Sequence, residues 1–131
     1  MIDQKDVIAF FDERAGDWDA GMIRSDEKIG RILDNAAVHE GSRVLDIACG
    51  TGVLIGDYLR RNVESVTAVD ISSEMIRIAR EKFPQENVRF VCGDAETAEL
   101  GGGFDAIVIY NAFPHFPDPE RLIAHLAALL A

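Results

Sequence analysis

Basic residues are scarce in this 131-residue chain: 13 lysines and arginines stand against 23 aspartates and glutamates, for a net charge of −10. No basic stripe interrupts the acid, so a polyanion is repelled at long range and nucleic acid is disfavoured as a partner. A small-molecule partner is expected instead, and the excess acid also serves solubility. Cysteine is sparse too. Cys49 and Cys92 have no metal-ligand spacing and fall on strands expected to be separated by a third, roughly 9–10 Å apart at standard strand spacing. A disulfide does not span that gap, and both read as small buried residues of a reduced, cytoplasmic protein. An apolar run long enough to cross a bilayer, a basic and apolar leader, repeats and low-complexity linkers are all missing, so one domain without a membrane segment is expected. The three histidines suggest no metal site.

What is present is concentrated in the run Val44-Leu45-Asp46-Ile47-Ala48-Cys49-Gly50-Thr51-Gly52: an apolar strand, an acid near its end, then a small-residue loop opening a helix. Glycine lacks a Cβ and takes positive φ readily, so Gly50 and Gly52 permit a tight turn whose backbone N–H groups point into a cleft. Similar loops serve nicotinamide, flavin and phosphate sites. Counted from Gly50, the dinucleotide fingerprint finds bulky Ile55 where it needs glycine or alanine, which weakens a dehydrogenase reading. No Gly-Lys-Ser or Gly-Lys-Thr tripeptide occurs, which speaks against a triphosphate-binding loop.

A second apolar run, Ser65-Val66-Thr67-Ala68-Val69, ends in Asp70, 18 residues beyond Gly52. A carboxylate at the tip of the neighbouring strand accepts hydrogen bonds from both ribose hydroxyls, so a nucleoside ligand is expected. A third run, Val88-Arg89-Phe90-Val91-Cys92, leads into Gly93-Asp94-Ala95, with Asp94 available to an exocyclic amine. Each acid alone reads as a turn former or helix cap. Three in register at the carboxyl edge of a parallel sheet, where open α/β sheets bind ligands, favour the ligand role.

In this order of motifs the chain resembles the class I S-adenosylmethionine-dependent methyltransferases. The run from Val44 is similar to the family's first motif and Val66-Thr67-Ala68-Val69-Asp70-Ile71-Ser72 to its second. Gly93-Asp94-Ala95 resembles the third, and Phe104-Asp105-Ala106-Ile107-Val108-Ile109 with Tyr110-Asn111-Ala112 resembles the fourth. The resemblance implies S-adenosyl-L-methionine as cofactor, bound by Asp46, Ala48, Gly50, Gly52, Asp70, Ile71, Met75, Asp94, Ala95 and Asn111. It gives Asp70 the ribose, Asp94 the adenine amine, Ile71 and Met75 the adenine faces, and the loop at Asn111 the neighbourhood of the transferable methyl group. Asp46 either anchors the loop or reaches the cofactor's amino group through water. Ala48 stands where many members carry a first glycine. Phe10-Phe11-Asp12 and Trp18-Asp19 resemble the small-molecule and quinone-biosynthesis branches, which assigns Trp18 to the cofactor's methionine end. Met75, spaced with Ala79 and Phe83, also reads as core packing.

Helical patterns at 5–14 and 26–37, the second with Ile29, Ile32, Leu33 and Ala36 on one face, precede strands at 43–47, 65–70, 88–92 and 104–110. Helices near 53–61 and 73–83 separate the first three strands. The alternation predicts an α/β fold, a Rossmann-like doubly wound parallel sheet of order 3-2-1-4. Residues 1–40 would form a helical N-terminal cap and 41–131 the βα core of a single domain. Asp118 as N-cap, Pro119 and Glu120 start a last helix carrying Leu122, Ile123, Leu126, Leu129 and Leu130. The family's sheet continues through three more strands, in the order 3-2-1-4-5-7-6, so this chain is truncated relative to the seven-stranded fold. Strand four is then an edge, although its apolar continuity suits a covered strand. A homo-oligomer or a second chain is expected to cover it.

Methyl transfer is an in-line displacement at a sulfonium methyl group, and positioning supplies much of its acceleration, so no base is strictly required. Within Asn111-Ala112-Phe113-Pro114-His115-Phe116-Pro117, the aromatics suit a flat or apolar substrate. His115 is the candidate catalytic base for an acceptor hydroxyl or amine; its alternative is a loop histidine bonded to backbone. The expected function is methyl transfer from S-adenosyl-L-methionine to a small-molecule acceptor. Two alternatives stand beside it: a catalytically incomplete cofactor-binding or interaction module that needs a partner, and an NAD-dependent oxidoreductase.

Overall fold

Strands form where β-branched and small apolar residues run together: β1 (Arg43–Ile47), β2 (Ser65–Asp70), β3 (Val88–Cys92) and β4 (Ala106–Ile109). The computed structural model describes residues 26–109 and 119–131. The expected helix at 5–14, Trp18, and the segment holding Asn111 and His115 lie outside the described residues. All four strands pair in parallel in the expected order β3-β2-β1-β4. Val44 lies opposite Val66 on one side and Ala106 on the other, and Val66 in turn lies opposite Val88.

Helices α1 (Asp26–Asn35), α2 (Ile55–Arg60), α3 (Ser73–Lys82) and α4 (Pro119–Ala127) cover both faces. Because strand side chains alternate, Val44 joins one apolar layer and Leu45 and Ile47 the other. The first layer takes Ile29 and Leu33 from α1, Ile55 and Tyr58 from α2 and Ile76 from α3; the second takes Leu122 and Leu126 from α4. β1 is therefore buried on both faces from Val44 to Ile47, as a central parallel strand should be.

Arg61, just past α2, ties that helix to α1: its guanidinium donates to Asp34 at 2.8 Å and to the carbonyls of Val38 and Gly30 at 3.0 and 3.3 Å. α1 itself ends in paired C-terminal bonds, with the Val38 N–H donating to the Leu33 carbonyl and the Ala37 N–H to that of Asp34. That geometry puts Ala37 at a φ of +58°, in the left-handed region.

The structure corrects three expectations. α2 begins at Ile55, not near 53, because Gly52 holds a φ of +89° and residues through Leu54 remain wound in turns. Regular pairing of β4 begins at Ala106, two residues later than expected, since the backbone of Phe104 pairs in parallel with Leu130 instead. Cys92 is exposed, while Cys49 is buried as expected. β3 is an edge strand and Cys92 is its last residue, where no described element covers it. Among the described residues, no helix is long and apolar enough to cross a membrane.

Candidate functional site

The parallel sheet brings Asp70, which ends β2, and Asp94, two residues past β3, to its carboxyl edge, whereas Asp46 does not follow its strand as expected but lies inside β1, one residue short of its end. Asp70, the last residue of β2 and buried, holds the edge together. Its Oδ2 accepts from the Gly50 N–H at 2.8 Å and its Oδ1 from the Ser72 N–H at 2.9 Å. Its carbonyl accepts from the Gly93 N–H at 2.9 Å. One residue thus joins the loop after β1, its own turn and the loop after β3.

The loop after β1 is wound through three left-handed positions: Ala48 at +57°, Gly50 at +58° and Gly52 at +89°. At Gly52 a Cβ would stand 2.9 Å from Phe83 Cε2, so a side chain is excluded by packing as well as by backbone angle. The Cys49 N–H donates to the Val69 carbonyl, extending the β1–β2 ladder into the loop. Ser72 caps α3, its hydroxyl accepting from the Met75 N–H at 3.3 Å.

Asp94 forms a side-chain turn, with Oδ1 accepting from the Glu96 N–H at 2.9 Å while its carbonyl accepts from the N–H groups of Thr97 and Ala98. Its carboxylate is only partly buried; Ala95 beside it is buried. Met75 is enclosed, 1% exposed, and Ile71 is half-buried. Asp105 of the fourth motif lies at the opposite end of the sheet, where its carboxylate accepts from the Arg43 N–H at 2.8 Å.

Asp46 is the electrostatic exception. It sits inside the sheet's first apolar layer, 2% exposed, and its Oδ2 has no hydrogen-bond partner. Burial lifts its pKa, the nearby Tyr58 hydroxyl eases it back and the charge of Asp70 raises it again, to about 7. Tyr58 stands close enough to favour the ionised carboxylate but falls short of a hydrogen bond, and its own hydroxyl is likewise unpartnered. The Cys49 thiol is pushed well up by burial and by Asp46 and Asp70, so it stays protonated. Sequence reasoning missed Tyr58. Its signal was a phenol at an otherwise apolar helix position, where the hydroxyl must find a polar neighbour.

Residues 44–131 match the family described as methyltransferase domain. The chain belongs to that family. The four motifs therefore mark a class I methyltransferase domain, as the resemblance implied. Among relatives of this methyltransferase domain, the malonyl-[acyl-carrier protein] O-methyltransferase of Acetivibrio thermocellus is 36% identical over 121 residues, covering 90% of this chain and 43% of the relative. The ubiquinone biosynthesis O-methyltransferase of Coxiella burnetii is 31% identical over 135 residues, covering 96% of this chain and 57% of the relative. The chain thus spans about half the length of these relatives. The fold is shared with an S-adenosylmethionine-dependent methyltransferase from Thiobacillus denitrificans, solved with S-adenosyl-L-homocysteine. The TM-score is 0.73 at 21% identity, covering 91% of this chain and 50% of that one.

Proposed function

We propose that this methyltransferase domain transfers a methyl group from S-adenosyl-L-methionine to a small-molecule acceptor. The observation that carries the reading is the position of Asp70 at the carboxyl edge, its carboxylate bonded to the Gly50 and Ser72 N–H groups and its carbonyl to that of Gly93, where a strand-end acid serves the hydroxyls of a ribose. Asp94 is assigned the adenine amine, with Ile71, Met75 and Ala95 around the ring. Ala48, Gly50 and Gly52 allow close approach of the ligand to backbone N–H groups. The unpartnered Oδ2 of Asp46 fits a cationic neighbour such as the amino group of the cofactor's methionine moiety. Trp18 and Asn111 are assigned to that same end, and His115 to the acceptor's proton.

When bound, S-adenosyl-L-methionine supplies an electrophilic sulfonium methyl group. The chain's own residues then have to hold the acceptor in line with it and keep water out, which is where most of the acceleration originates. An oxygen acceptor is supported by the names of the relatives, both O-methyltransferases. The net charge of −10 supports a small acceptor over a nucleic acid. Cys49 and Cys92, neither in a disulfide, support a reduced, cytoplasmic setting. Neither the NAD-dependent oxidoreductase nor the incomplete module is favoured by these relatives. The outer backbone groups of β4 beyond Phe104 have no strand partner among the described residues, which supports cover by a second copy or another polypeptide. Backbone amide exchange at Ala106–Ile109 decides that point.

The cofactor reading is tested by calorimetric titration with S-adenosylhomocysteine, with NAD as control. Wild type is expected to bind the former and not the latter. Asp70→Ala, checked for folding by thermal melting, is expected to bind at least about tenfold more weakly, because a hydrogen bond to a charged group is worth roughly 1.5–3 kcal/mol. A folded wild-type chain that binds no S-adenosylhomocysteine overturns the reading.

A further inference from the structure

The loop after β3 is fastened at both ends, and Asp94 sits between the fastenings. At one end the Gly93 N–H donates to the Asp70 carbonyl at 2.9 Å. At the other, Glu96 Oε2 accepts from the guanidinium of Arg121 on α4 at 2.5 Å, across 25 residues of chain. Glu96 also turns Asp94, its N–H donating to Asp94 Oδ1 at 2.9 Å. The direction of the Asp94 carboxylate therefore follows the position of Glu96, and Glu96 follows α4. Stability alone does not account for the ion pair. The Arg121 side chain is 71% exposed, so its charge is well screened, while the Glu96 side chain is 12% exposed and its Oε1 is buried with no hydrogen-bond partner among the described residues. An acceptor left so is a cost to the fold, whereas an ion pair that crosses between two elements specifies where they sit.

We propose that Glu96, anchored by Arg121, is a positioning residue for Asp94 and thereby sets how strongly the site selects a purine that carries an exocyclic amine. The inference deepens the cofactor reading and rests on its assignment of Asp94 to that amine. A hydrogen bond to a carboxylate is directional, so a carboxylate free to swing takes the amine less selectively. With Arg121 in place the loop presents Asp94 in one orientation, ordered before the ligand arrives. Without Arg121 the Glu96 carboxylate loses its cation and moves toward water, drawing its N–H away from Asp94. Asp70, Ile71 and Met75 belong to β2, the turn after it and α3, so the ribose and ring contacts assigned to them are left as they were.

The test compares, by calorimetric titration, S-adenosylhomocysteine with its purine counterpart, in which hydrogen replaces the exocyclic amine. Wild type should prefer S-adenosylhomocysteine at least about tenfold, since the amine bonds a charged group. Arg121→Ala should bring that ratio down to about threefold or less, by weakening S-adenosylhomocysteine while the purine counterpart stays within about twofold of its wild-type affinity. Arg121→Lys, which restores a cation, should recover most of the ratio. Glu96→Ala should act as Arg121→Ala does, and the double variant should go no further, because the two residues act as a unit. Arg121 is largely exposed, so its variants should fold, as thermal melting checks. Should Arg121→Ala not fold, Glu96→Gln keeps the shape and the backbone bond, weakens only the ion pair, and should lower the ratio at least about threefold. A structural role alone would weaken both ligands equally. Equal weakening, or an unmoved ratio, overturns the positioning role and leaves the cofactor reading standing. A wild type that does not distinguish the two ligands overturns the assignment of Asp94 and this proposal with it, while the role of Asp70 stands. No S-adenosylhomocysteine binding by the folded chain overturns the cofactor reading as well.

Discussion

Ala48 carries an L side chain at a φ of +57°, where its Cβ crowds the following carbonyl at a cost of roughly 1–2 kcal/mol. Glycine escapes that crowding but brings a freer unfolded chain, which returns roughly 0.5–1 kcal/mol. Ala48→Gly is therefore expected to raise the unfolding free energy by up to about 1 kcal/mol, read as a higher urea midpoint at unchanged slope; a lower midpoint would refute the account. The missing first glycine was legible in the sequence, whereas the strained angle was not, because backbone conformation at one residue is set by the loop around it. Asp70 and Asp94 were legible because each closes a short apolar run. Tyr58 was not, since among Ile55 and Leu59 it reads as core, and only the fold turns its hydroxyl toward Asp46.

At the scale of elements, α1 shows what a helix end costs when its residue is wrong for its angle. Its terminal bonds need a left-handed residue after the last turn, usually glycine, and Ala37 supplies it at +58°. Ala37→Gly should stabilise the protein by roughly 0.5–1 kcal/mol in thermal or urea unfolding, because the bonds and the packing of Val38 with Leu33 are already in place. Strand positions were readable from runs of valine, isoleucine and alanine, and their order followed from repeated strand-helix alternation. The edges of elements were less readable. The start of α2 depends on how far the glycine loop stays unwound, and the start of β4 on an exchange in which the Arg43 N–H bonds the Asp105 carboxylate and the Asp105 N–H bonds the Arg43 carbonyl.

For the whole molecule, the sheet is finished unevenly. Among the described residues, β1 is flanked on both sides, while β4 is paired along Val44–Ile47 on its inner side and by Leu129–Ala131 only at Phe104 on its outer side. Ala106 and Val108 are nonetheless buried, 3% exposed each, so the residues are covered where the outer backbone has no strand partner among the described residues. If a partner strand covers that edge, the amides of Ala106 and Val108 should exchange as slowly as those of β1, and sedimentation should find a species heavier than 14.4 kDa. A strict monomer with fast exchange there excludes the partner.

The two cysteines differ in a way that has a practical consequence. Cys49 is shut inside the loop with its thiol held protonated, whereas Cys92 is exposed and directly precedes Gly93, the residue bonded to the carbonyl of Asp70. A thiol-reactive fluorophore added to the unaltered chain will therefore settle at one address, a few bonds from the cluster of loops at the sheet edge. The protein carries its own labelling point for an optical reporter of ligand arrival, with no cysteine to engineer.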